Sequence, residues 1–161
     1  MTKLAGTVIW KRCKPRCSPY QFAIGKKAGT EAIVHRVRKA FNDGKVIVRI
    51  DLTNAFNMAQ RHIIRETLDG RDADIMQFFK TMYIPSAKLA TYGPDEIRFI
   101  EFTEGMRQGD AFSGFFFGIL MDRVLADFKS ERTEQTTKPS AYMDDLTVEC
   151  ERSDISAVLT A

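Results

Sequence analysis

The chain has 161 residues, 44% of them hydrophobic, a size and content that suit one soluble globular domain with one sizeable core. Its longest uncharged apolar run, residues 111–121, is far shorter than the roughly twenty residues that cross a bilayer, so a membrane role is excluded. The net charge of +3 hides an asymmetry: residues 1–50 hold 12 Lys/Arg against 2 Asp/Glu, and the remainder 12 against 19.

A basic front leading into an acidic, metal-seeking back suits a protein that grips a polyanion and does chemistry on phosphate. A solvated basic face without a specific partner gives the same counts. The apolar run at residues 4–10 is followed by Lys11, Arg12, Lys14 and Arg16 without a small-residue cleavage site, so no signal peptide is expected. Cys13 and Cys17 have no histidine at a spacing that completes a zinc finger, and Cys150 is remote. Ordinary reduced thiols and an intracellular location are the consistent reading.

In chain order, Pro15, Ser18 and Pro19 mark an irregular connection, then Gln21-Phe22-Ala23-Ile24-Gly25 and a flexible patch at Lys26-Lys27-Ala28-Gly29. Thr30 is the expected N-cap of a helix with Ile33, Val34, Val37 and Phe41 on one face and His35, Arg36, Arg38 and Lys39 on the other, ending near Asn42-Asp43-Gly44. The basic face suits solvent or nucleic acid. Val46-Ile47-Val48-Arg49-Ile50 predicts a buried strand with Asp51 at its C-terminal end, on a rigid element.

Thr53 or Asn54 is expected to cap the next helix, with Met58, Ile63, Ile64 and Leu68 inward, broken at Asp69-Gly70. Asp72 begins another helix, with Ile75, Phe78, Phe79 and Met82 as a core stripe. Two strands, residues 88–92 and 97–102, join across Gly93-Pro94-Asp95-Glu96. Gly105-Met106-Arg107-Gln108-Gly109-Asp110 is a loop opening a long apolar helix over about residues 111–128, and Gly109 lets backbone approach a ligand closely beside unpaired helix N–H groups. A loop that only turns would use the same residues. Residues 131–138 predict a polar surface loop, and residues 153–159 a short helix.

Between these last two lies Ala141-Tyr142-Met143-Asp144-Asp145-Leu146-Thr147-Val148, a hairpin with two aspartates at its turn. Two carboxylates about 4 Å apart repel by roughly 4 kcal/mol at an effective dielectric near 20, so a divalent cation is the natural complement. Solvated turn aspartates are the plainer alternative. The predicted class is α+β: a mostly antiparallel sheet with helices on one face and order β-α-α-ββ-α-ββ after the first helix.

Three stretches together, Ile50-Asp51-Leu52-Thr53-Asn54-Ala55-Phe56, Gly105-Met106-Arg107-Gln108-Gly109-Asp110-Ala111-Phe112-Ser113 and Tyr142-Met143-Asp144-Asp145, resemble the reverse transcriptase palm, most closely the non-LTR retrotransposon type. The resemblance runs from about residue 19 to residue 150. It implies an RNA-directed DNA polymerase core using two Mg²⁺ ions, with Mn²⁺ possible, bound by Asp51, Asp144, Asp145 and the Leu52 carbonyl.

It also implies that Phe56 is a steric gate against the 2′-hydroxyl, that the amides of Asn54 and Ala55 face the triphosphate, and that Gln108 and Gly109 line the nucleotide pocket. Tyr142 and Met143 would sit near the primer end and the sugar. Arg36, Arg38, Lys39 and Arg107 are candidate nucleic-acid contacts. The implied partners are an RNA template, a DNA primer and deoxynucleoside triphosphates.

The family usually has Pro-Leu-Ser-Pro after Gln-Gly-Asp, where this chain has Ala111-Phe112-Ser113-Gly114. Residues 1–45 correspond to a remnant of the fingers and their connection, and residues 46–161 to the palm core. The chain is expected to be a piece of a longer polymerase, with the remaining fingers and the thumb supplied by a parent polyprotein, working in the nucleus if the element is eukaryotic. Another palm polymerase copying RNA into RNA and a nucleic-acid-binding remnant of a decayed element are the alternatives.

Overall fold

The computed structural model describes residues 19–69, 72–84, 87–94, 96–130 and 137–160. Cys13, Cys17, the basic residues before them, Gly70, Asp95 and residues 131–136 of the expected polar loop lie outside the described residues. The order is α1 (Gly29–Asn42), β1 (Val46–Ile50), α2 (Arg61–Leu68), α3 (Ala73–Tyr83), β2 (Ala87–Tyr92), β3 (Ile97–Phe102), α4 (Ser113–Ser130), β4 (Lys138–Tyr142), β5 (Asp145–Cys150), a 3₁₀ turn (Arg152–Asp154) and α5 (Ile155–Leu159). The fold is α+β with antiparallel sheets, as the sequence predicts.

The main sheet has the order β1-β5-β4, with β5 central and antiparallel to both neighbours. Val46 pairs with Cys150, Val48 with Val148 and Ile50 with Leu146, so one face of the pleat is uniformly apolar. That face meets α2 and α4 through a core that includes Ile64, Leu68, Phe115, Phe116, Met121 and Leu125. Burying each such side chain contributes about 1.5–3 kcal/mol. Phe79 and Tyr83 of α3 stand edge-on to Phe116, with ring centroids 4.8 and 5.6 Å away. These contacts fix α3 against α4.

The opposite face carries Ile47, Arg49, Thr147 and Glu149, and α1 crosses it, so the helices do not all pack on the one face that the sequence pattern suggests. Arg36 Nε of α1 lies 2.5 Å from Glu149 Oε1, and Glu149 is buried. The ion pair anchors the helix there.

Three helix boundaries differ from expectation. The first helix begins at Gly29 behind Ala28, whose φ of 52° ends the preceding loop, and Thr30 is already one residue inside. Its apolar face is also less buried than the pattern suggests, with Phe41 71% exposed. Residues 53–58 form turns instead of helix, because Asn54 has φ 51° and its carbonyl accepts from both Asn57 and Met58, closing one turn that cannot propagate. The helix starts only at Arg61, and Met58 is exposed. Finally, α4 starts at Ser113 because Asp110 caps it: its Oδ1 accepts from the Phe112 N–H at 3.0 Å and its carbonyl from the Ser113 N–H at 3.2 Å.

Candidate active site

The end of the main sheet where β1 finishes and β4 turns into β5 gathers the acidic residues. Ile50 pairs with Leu146 at the end of the β1–β5 ladder, so Asp51, one residue on, and Asp145, one residue back, lie at the same end of the sheet. Asp144 occupies the turn beside them. Asp51 and Asp145 are exposed and Asp144 half-buried.

That turn has only two residues, Met143 and Asp144, and Met143 has φ 56°. Glycine is usual at such a position, and a left-handed non-glycine residue costs about 1–2 kcal/mol. Its surroundings supply the compensation. The Met143 N–H donates to Gln21 Oε1 at 3.0 Å, and Gln21 Nε2 donates to the Met143 carbonyl at 3.4 Å. The Met143 side chain reaches α4, where a Cβ on Gly114 would stand 3.2 Å from its Cε. Thus Gly114, at the position of a family proline, supplies room for the turn.

Residues 53–58 and the loop 105–110 form the second half of the site and are tied together. The Met106 N–H donates to the Phe56 carbonyl at 2.7 Å and the Gly105 N–H to the Ala59 carbonyl at 3.0 Å. Gly105 is required by its surroundings, since a Cβ would lie 2.3 Å from the Asn57 carbonyl oxygen. The Phe56 ring stacks on Phe117 of α4, centroids 4.3 Å apart and 13° from parallel. Gln108 and Gly109 are exposed at the loop tip. Gly109 has φ 85° with open space around it, so conformation rather than crowding calls for glycine there.

Beneath the loop lies a polar network. Arg61 is 8% exposed, and its guanidinium donates to the carbonyls of Gly105 (2.8 Å), Tyr83 (2.9 Å), Glu104 (3.1 Å) and Phe102 (3.2 Å). Burial and then the nearby Arg107 lower its pKa. The Tyr83 hydroxyl donates to Asp110 Oδ2 at 2.5 Å, and burial followed by this bond raises its pKa. One cation and one phenol thereby fix both ends of the loop.

Among the described residues, no three His, Cys, Asp or Glu side chains converge as they stand into a group able to hold a metal ion. Asp145 Oδ1 lies 3.5 Å from Arg49 Nη2 instead. The donor chemistry nevertheless suits a hard divalent cation: carboxylates at one sheet end, on side chains accessible enough to change rotamer.

The reverse transcriptase (RNA-dependent DNA polymerase) family matches residues 2–160. The chain belongs to that family. No curated protein sequence matches it. As a reverse transcriptase domain it is similar in fold to apo telomerase from Candida tropicalis truncated from its C-terminal domain, with TM-score 0.68 and 11% identity over 99% of this chain and 36% of the telomerase chain. Telomerase from Candida tropicalis in complex with a TWJ fragment of telomeric RNA gives 0.66 and 11%, covering 99% and 29%. The Candida albicans telomerase with the same type of RNA fragment gives 0.55 and 12%, covering 96% and 31%. The chain spans about a third of the length of these telomerases.

Within this reverse transcriptase domain, the sequence-predicted residues divide between the two halves of the site. Asp51, Leu52, Tyr142, Met143, Asp144 and Asp145 cluster at the sheet end, whereas Asn54, Ala55, Phe56, Gln108 and Gly109 lie on the two linked loops. Of the basic candidates, Arg36 is engaged with Glu149, and Lys39 lies 2.6 Å from Asp43. Arg107 lies over the Tyr83 ring at 5.7 Å, and Arg38 remains exposed.

Gln21 and Arg61 carry site geometry without having stood out in the sequence. Arg61 had a detectable signal, a charge at helical spacing on the apolar stripe of Ile64 and Leu68. Gln21 had none, because its partner is 122 residues away.

Proposed function

We propose that this chain is the palm portion of an RNA-directed DNA polymerase, of the non-LTR retrotransposon type by its motifs, which adds deoxynucleotides to a primer 3′-hydroxyl. The observation that carries the reading is that the β1–β5 ladder ends at the Ile50–Leu146 pair, so that the next residue on each side, Asp51 and Asp145, lies at the same end of the sheet, within a chain of the reverse transcriptase family. Asp51, Asp144, Asp145 and the Leu52 carbonyl would hold two Mg²⁺ ions, or Mn²⁺. When bound, such ions stabilise the charge that develops on the attacking and leaving oxygens.

The chain's own residues position and select. Phe56, with its ring supported by Phe117, excludes a 2′-hydroxyl. The amides of Asn54 and Ala55 face the triphosphate. Gln108 and Gly109 line the nucleotide pocket, and Tyr142 and Met143 border the primer terminus and the sugar. Arg38 and Arg107 remain the basic residues best suited to a nucleic-acid backbone. The similarity in fold to RNA-bound telomerases supports an RNA template. Because the chain spans about a third of those proteins, sustained synthesis belongs to the longer parent.

Primer extension by the parent protein tests the proposal. Asp144→Ala is expected to lower Mg²⁺-dependent deoxynucleotide incorporation at least about a hundredfold. Equal incorporation by variant and wild type would sink the assignment, and a preference for ribonucleotides would point to an RNA-synthesising palm.

One observation favours a second reading, a nucleic-acid-binding remnant without turnover: Arg49 stands at Asp145 and the carboxylates do not converge. Salt-dependent RNA binding by the parent with no incorporation would support it.

A further inference from the structure

Gln21 is completely buried, and its primary amide is directed at a single distant residue. Its neighbours form a strap along the free edge of β4: the Ala141 N–H donates to the Tyr20 carbonyl at 2.8 Å, and the Phe22 N–H donates to the Ala141 carbonyl at 2.7 Å. Gln21 Oε1 also accepts from the Ala23 N–H at 3.1 Å, which fixes the orientation of its amide. The side chain then extends the pattern past the end of the strand, to the Met143 N–H and carbonyl.

This pairing has a chemical requirement. Meeting both the N–H and the C=O of one residue takes a side chain that accepts and donates at adjacent atoms, which a primary amide does and a carboxylate or hydrocarbon does not. The residue so held is the one with a left-handed backbone, and the next residue is Asp144.

We propose that Gln21 is a positioning residue for the catalytic turn: its amide acts as a missing strand partner for Met143, holds the left-handed backbone there, and so fixes the direction in which Asp144 leaves the turn. Gln21 acts through Met143. The metal arm of the test below rests on the reading of Asp144 as a metal ligand, whereas the backbone arm does not.

Amide hydrogen exchange on the whole chain, followed by NMR, reads the backbone directly. In Gln21→Leu, exchange at Met143 is expected to rise about tenfold or more, with the Val148 amide of the central strand unchanged. Unchanged exchange at Met143 in the folded variant would overturn the proposal. Gln21→Glu retains an acceptor for the two N–H groups but lacks the donor, and an intermediate rise at Met143 supports the two-bond account. Loss of Val148 protection in both variants would make Gln21 a general folding residue and refute a local role.

Mn²⁺ binding followed by electron paramagnetic resonance supplies the second arm. Binding weakened about tenfold in Gln21→Leu supports positioning of Asp144. Unaltered binding together with faster exchange at Met143 would show that the turn does not set metal affinity, and would overturn the proposal. Absence of Mn²⁺ binding by the wild-type chain, with the exchange result intact, would refute the catalytic reading and not the contact.

Discussion

The described residues include two β-hairpins of similar length and opposite character. The β2–β3 hairpin pairs six residues on each strand, one more than β4–β5, yet Tyr92, Ile97, Phe99 and Ile100 are all exposed. The β4–β5 hairpin has a strand on one side, the Gln21 strap on the other, and Ala141, Leu146, Val148 and Cys150 buried. Ladder length therefore does not determine how firmly a hairpin is held. An isolated two-stranded ladder is marginal in water, and flanking contacts supply the rest. Asp144 and Asp145 stand on the hairpin that has those contacts.

The largest expected effect tests that contrast directly. Val148→Asp places a carboxylate in the core and should lower stability by about 4 kcal/mol or more, whereas Phe99→Asp should change it by no more than about 0.5 kcal/mol. Urea midpoints measure both, and comparable losses would erase the distinction.

A smaller effect is expected at the root of the outer hairpin. Arg61→Leu strips donors from four carbonyls, including that of Phe102 at the end of β3, and should cost about 2–4 kcal/mol. Exchange should rise in residues 97–110 before it rises in β5. Simultaneous loss in both hairpins would mean that they are one cooperative unit.

The smallest effect comes from Tyr83→Phe, expected to cost about 1.5 kcal/mol through the lost bond to Asp110. Tyr83 has its pKa raised on folding, so its contribution is fully present below the unfolded value of about 10 and is lost as pH rises through the higher folded value. The stability gap between variant and wild type should be flat up to about pH 10 and narrow above it. A gap that varies between pH 6 and 9 would contradict this assignment.

Much of the fold was legible because its elements are locally determined. Strand β1 is a β-branched run, although at the sheet edge it is half-buried where a buried strand was expected, Ile75 and Phe79 mark a helix stripe that is buried as expected, and β2 and β3 flank a Gly-Pro turn. Motif order grouped Asp51, Asp144 and Asp145 in the sequence, and the register brings their segments to one sheet end, although their side chains do not converge as they stand. The sequence did not disclose what non-local contacts decide. Asn54 looked like a cap until its positive φ closed a turn, and that turn is held by Met106, fifty residues later. Phe41 fits a helix stripe by spacing but is left exposed by the described residues.

The close approach of Gly114 to Met143 has an evolutionary corollary. Because a Cβ at position 114 would press on Met143 Cε, the two sites are not independent under substitution. A lineage that gains alanine at 114 gains helix propensity, which favours the change locally, but crowds the turn that carries Asp144. A shorter residue at 143 would relieve the crowding. The two positions should therefore drift as a pair, each change making the other tolerable.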